Sequence, residues 1–165
     1  MHHPNPCPAP AQVLLPRIIR SERRQLQRLC ADLALRDLPR CAHHPLHVCS
    51  VMPGTPCTAQ LQGGKLCVSI PLCIQLTDSC GARYSASATL ETEVCPPKGL
   101  NSCNANSVFI QPFIQLLHAE PVCGCSVNVQ LCVTMEIFLL RMEPCAMHPP
   151  KPACPSMPLY PQPHW

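Results

Sequence analysis

Charge is scarce in this chain: Asp, Glu, Lys and Arg together make up 13% of its 165 residues, about half the share of an ordinary soluble domain. With so little charge to keep copies apart, association with itself or with a partner protein is expected to come easily. The net charge of +3 lacks the strong basic balance of a nucleic-acid binder. Aromatic residues are equally few, with one Trp, two Tyr and three Phe, so no stacking platform for bases is in evidence. Six glycines supply no Gly-rich phosphate loop, and Gly63-Gly64 reads as a turn before a strand. No apolar run reaches the roughly 18 residues of a membrane-spanning helix. The best candidate, Leu131 to Leu140, contains Glu136 and reads as a strand. The opening Met-His-His-Pro-Asn-Pro lacks the apolar core of a secretory signal, so cytoplasmic synthesis is the expectation.

What the chain has instead is cysteine and proline, 15 and 22 of them. The prolines concentrate in residues 1–16 and 144–165. Proline neither donates to a ladder nor continues a helix, so a Pro-rich disordered arm, a folded domain over 17–143 and a Pro-rich, Cys-containing tail are expected. A helix is expected over Arg17 to Arg36, between Pro16 and Leu38-Pro39. Ile19, Leu26, Leu29, Cys30 and Leu33 would share its apolar side, with Arg17, Arg20, Arg24 and Arg28 opposite.

Beyond it the pattern has period two. Leu66, Val68, Ile70, Leu72, Ile74 and Leu76 alternate with polar residues and cysteines, and Tyr84 to Val94 resumes the alternation after Asp78-Ser79-Cys80-Gly81. Ser107–Leu117 and Cys125–Arg141 form a second hairpin, and Leu46–Met52 a shorter strand. The expected class is therefore α+β but mostly β: one N-terminal amphipathic helix, then an antiparallel sheet or small sandwich of about five strands. Pro71 and Pro112 place their strands at an edge or at a bulge.

The alternation puts Cys67, Cys73 and Cys132 on faces opposite the apolar rows, and only Cys30 and Cys125 read as core residues. A structural zinc site is usually written as paired Cys-x-x-Cys knuckles, and the chain has none. Cys41, His43, His44, His47 and Cys49 do place five potential ligands within nine residues, and Cys123-Gly124-Cys125 adds a close pair. Thiolate and imidazole at that density suit Zn or Cu, the one cofactor reading the sequence offers. An odd cysteine count leaves at least one thiol free or paired with another molecule. Cys7, Cys80, Cys145 and Cys154, in arms, turns and tail, are the cross-linking candidates. No Cys–His pair is singled out as a nucleophile and base, and Glu91 and Glu93 read as a solvated strand face, so no catalytic residue is assigned. The arginine stripe reads as the solvent side of the helix.

The runs Arg20-Ser21-Glu22-Arg23-Arg24-Gln25-Leu26, Leu38-Pro39-Arg40-Cys41, Ile70-Pro71-Leu72-Cys73 and Asp78-Ser79-Cys80-Gly81 resemble Cys- and Pro-rich proteins of spore-forming bacteria. More remotely, the β-region is similar to the SPOCS-type domains associated with spore coat assembly. That resemblance implies an all-β assembly module rather than an enzyme, incorporated into a spore or envelope layer. Composition and resemblance together lead to the expectation of a non-enzymatic structural protein that self-associates through accessible cysteines.

Overall fold

The computed structural model describes residues 13–38, 45–101, 103–104 and 107–145. Arg17–Arg141 forms one compact unit; Val13–Pro16 and Met142–Cys145 belong to a second. Among the described residues seven strands follow one another: β1 Val13–Ala34, β2 His47–Pro53, β3 Thr58–Gln62, β4 Lys65–Thr77, β5 Arg83–Val94, β6 Val108–Ala119 and β7 Ser126–Cys145. Among the described residues there is no α-helix, and so none long and apolar enough to cross a membrane.

The expected helix over 17–36 is thus corrected to a strand, and the cause is a single residue. Glu22, Arg24 and Leu26 are the partly covered side chains in the first half of β1. In the second half they are Leu29 and Ala31, with Leu33 fully buried. Arg28 lies between the two sets with φ 54, a left-handed conformation that marks a bulge. A bulge inserts one residue and shifts the inward parity from even to odd. The step from Leu26 to Leu29 to Leu33 then copies the three- and four-residue spacing of a helix. The arginine stripe dissolves with the helix, because these positions no longer share a face.

β1, β7 and β6 form a three-stranded sheet in that order. The second sheet is built on β4, with β5 along one side and β2 and β3 end to end along the other. β3 is a strand the sequence reading missed, being short and mostly polar. Its signal was the Gly63-Gly64 pair: both have positive φ, 55 and 78, as a tight two-residue hairpin requires. Gln62 then pairs with Lys65 across the turn.

β4 is central, not an edge, although it contains Pro71. An extended residue points its N and O to the same side. The carbonyl of Pro71 accepts from Gly54 N at 2.7 Å, so the missing N–H faces the break between β2 and β3. The sheet tolerates a central proline because its neighbour is interrupted there. Pro112 lies on β6, an edge strand, as proline favours.

The sheets enclose one apolar core. Leu66 to Leu76 on β4 face Val127, Val129, Leu131, Val133, Met135 and Ile137 on β7, all nearly inaccessible. Residues 35–37 carry the chain from one sheet to the other: Leu35 N donates to Cys125 O (2.7 Å), and Arg36 and Ser87 exchange backbone bonds at 2.7 and 3.1 Å. Leu33 and Leu35 bury their side chains at this crossing.

Two polar clusters fix the connections. Glu22 pairs with Arg24 (2.6 Å) and Arg20 (3.1 Å) and accepts Lys98 N at 3.0 Å. Arg20 and Arg24 also donate to the carbonyls of Lys98 and Cys95, so β1 clamps the β5–β6 connection. Arg24, the Lys98 amide and the second arginine hold the Glu22 carboxyl below its ordinary pKa. Asp78, 5% exposed, accepts from Cys80 N, Ala82 N and the Tyr84 hydroxyl at 2.8–2.9 Å, shaping the β4–β5 turn.

Candidate functional site

The cysteines are the chemistry-bearing residues, and the pleat decides where they point. Cys67 and Cys73 stand on the outward side of β4, and Cys132 on that of β7, as the alternation predicted. Each is half-buried among polar neighbours. Cys67 pairs across to Gln60 and Glu93, and Cys73 to Met52 and Ser87. Cys80 sits exposed in the β4–β5 turn and Cys145 exposed at the end of β7. Cys7 and Cys154, the other two cross-linking candidates, lie outside the described residues.

Cys30 and Cys125 differ from the sequence reading. Both are exposed, not core. The bulge at Arg28 turns Cys30 to the outward face, where Gln130 Nε2 approaches its sulfur at 3.9 Å. Cys125 follows Gly124 in the two-residue β6–β7 turn, closed by bonds of 2.9 and 3.0 Å between Cys123 and Ser126. Cys57 is half-buried: it packs on the core between β2 and β3, and burial raises its pKa. All twelve described cysteines are unpaired, and none is fully buried.

Among the described residues no three His, Cys, Asp or Glu side chains converge as metal ligands. His47 is exposed at the start of β2, and Cys49 is the extra residue where the register slips between Val48 and Ser50. Cys41, His43 and His44 lie outside the described residues. Leu35 N donates to Cys125 O, and Val122 N donates to Leu46 O at 2.9 Å. Leu46, which leads into β2 with His47 and Cys49, is thus bonded to the connection that carries Cys123 and Cys125.

A groove of about 610 Å³ crosses the outward face of the β4 sheet, lined by Gln60, Gln62, Cys67, Ser69, Glu91 and Glu93 among others. Lys65 neutralises Glu93 at 2.6 Å, and that hydrogen bond raises the lysine's pKa. Cys67 Sγ lies 4.0 Å from Gln62 Oε1, and among the described residues no His lines the groove.

Comparison with protein families, with curated proteins and with solved structures finds no match for the chain.

Proposed function

We propose that the protein is a non-enzymatic structural protein that assembles with copies of itself and is locked by disulfides between their surface thiols. The observation that carries this reading is the placement of the cysteines: every described one is unpaired and reachable to some degree. A buried cysteine acts as a small hydrophobe, whereas a thiol in a turn or on an outer strand face can meet another molecule. Each bridge joins two thiols with loss of two protons and two electrons, taken up by a small-molecule disulfide that is reduced to two thiols. The low charge favours close approach of copies. A spore or envelope layer as the setting rests on the sequence resemblance alone. Oxidised glutathione followed by non-reducing electrophoresis tests the proposal. A ladder of oligomers that collapses on reduction is expected; protein that stays monomeric, with intramolecular bridges only, refutes it.

A second reading is favoured by one observation, the backbone bond from Val122 to Leu46, which holds the start of β2 with His47 and Cys49 beside the connection that carries Cys123 and Cys125. In this reading Cys41, His43, His44, His47 and Cys49 with Cys123 and Cys125 supply the ligands for Zn or Cu. Protein purified without chelator should then carry near-stoichiometric metal, and metal-free protein with unchanged stability sinks the idea.

A further inference from the structure

The outward face of the three-stranded sheet is unlike the rest of the surface. All three phenylalanines of the chain stand on it: Phe109 and Phe113 on β6, 55% and 48% exposed, and Phe138 on β7. Phe109 and Phe138 are cross-strand partners with ring centroids 6.0 Å apart. Leu117, on the same side of β6, is 44% exposed. A chain so poor in aromatics places none of its Phe in the core. The outward face of the other sheet, by contrast, carries Ser, Thr, Gln and Glu.

The β1 side of the face is polar. Glu22, Arg24 and Leu26 turn inward, so Arg23 and Gln25 turn outward, and Gln25 Nε2 lies 3.7 Å from Cys132 Sγ. Cys30 is met by Gln130 while Gln25 meets Cys132, so β1 and β7 run in opposite directions. Arg23 and Asp32 on β1 and Glu136 on β7 bring charges of both signs, and none of the three has an ion-pair partner among the described residues.

We propose that this face is where two copies of the chain meet, in a two-fold dimer packed sheet on sheet along β7. The proposal rests on the assembly reading and names its surface. A two-fold axis along the middle strand lays β1 of one copy over β6 of the other. The guanidinium of Arg23 then meets the exposed aromatic row of the second copy, a favourable cation–π arrangement that occurs twice by symmetry. The face carries charges of both signs. Cys132, half-buried at the middle of β7, lies opposite Cys132 of the other copy. Stacked sheets cross at about 30°, so Glu136, about 13 Å along the strand, is swung roughly 7 Å away from its own mate. Like charges separate while the central thiols stay close.

The test is sedimentation of the full chain under a phosphine reductant, which keeps every disulfide open. A reversible dimer is expected, and the exposed double substitution Phe109→Ser/Phe113→Ser should weaken it about thirtyfold or more. Thr134→Arg, beside Phe113 on the same face, is an independent variant that should weaken it as well. Thermal unfolding of each variant checks that the fold is kept. A monomer at every concentration, or a dimer that both folded variants leave unchanged, overturns the proposal. Oxidised glutathione should then join Cys132 to Cys132 in the dimer, releasing two reduced glutathiones, and peptide mapping must find that bridge. Oligomers linked through other cysteines with no Cys132 bridge overturn this face while leaving the assembly reading standing.

Discussion

Replacing Arg28 by glycine separates a bulged strand from a helix by the sign of the effect. In an exposed helix interior, glycine costs about 1 kcal/mol relative to a good helix former. In β1 the residue holds φ 54, where an L side chain crowds the following carbonyl at a cost of roughly 1–2 kcal/mol. Glycine relieves that strain, and the larger freedom of its unfolded chain returns about 0.4–1 kcal/mol of the gain. Arg28 is exposed and its side chain makes no hydrogen bond or ion pair among the described residues, so little is lost with it. The net expectation is a stabilisation of about 0.5–1 kcal/mol. Urea unfolding of reduced protein measures it, as a rise in midpoint at constant slope. Arg28→Val, β-branched at a positive φ, should move the midpoint the other way. Deleting Arg28 is the sharper test. It removes the extra residue, so Leu26 and the Leu29–Leu33 set fall on one side of an uninterrupted alternation and the strand should keep its core contacts. In a helix the same deletion would rotate every following residue by about 100° and turn Leu33, now 1% accessible, out of the core at a cost of about 2–3 kcal/mol. A destabilising glycine, or a deletion as costly as exposing Leu33, would refute the bulge.

Asp78→Ala leaves Cys80 N, Ala82 N and the Tyr84 hydroxyl without their acceptor; a loss of about 3 kcal/mol is expected. Paired with Tyr84→Phe in a thermal double-mutant cycle, the two effects should fall short of additive, because the residues share one bond. Glu22 titrates lower in the folded protein than in the unfolded chain. A depressed carboxyl contributes stability above its unfolded pKa and loses it as pH falls through the folded one. Glu22→Gln should therefore destabilise at neutral pH and lose that deficit on the acid side of the ordinary carboxyl range; equal deficits at both pH values would contradict this. Cys57, whose thiol is raised by burial, should be alkylated last, with exposed Cys49 and Cys80 far ahead. Time-resolved peptide mass spectrometry gives the order.

Strands that pack one face on the core announce themselves. β4 and β7 alternate without interruption, so their inward rows, and the outward placement of Cys67, Cys73 and Cys132, follow from residue order alone. β3 was obscured because its five residues bury no side chain fully. β1 was misread because residue spacing cannot tell a helical turn from two short alternations joined by a bulge. Cys30 was assigned to the core for the same reason. The link of Leu35 and Leu46 to the Val122–Cys125 stretch was also out of reach, since two backbone bonds between distant segments leave no local pattern.

By itself, then, the sequence determined a β-rich chain with one apolar face per long strand, and Cys67, Cys73 and Cys132 on the other face. Side-chain alternation is a local property of the extended backbone, and it needs no partner to be read. Tertiary structure alone decided that β1 is a strand, that β4 is central despite Pro71, and that the phenylalanines share one outward face. Each depends on what lies alongside: a bulge that keeps Leu33 in the core, a neighbour that breaks where proline has no donor, and a sheet order that sets β6 beside β7.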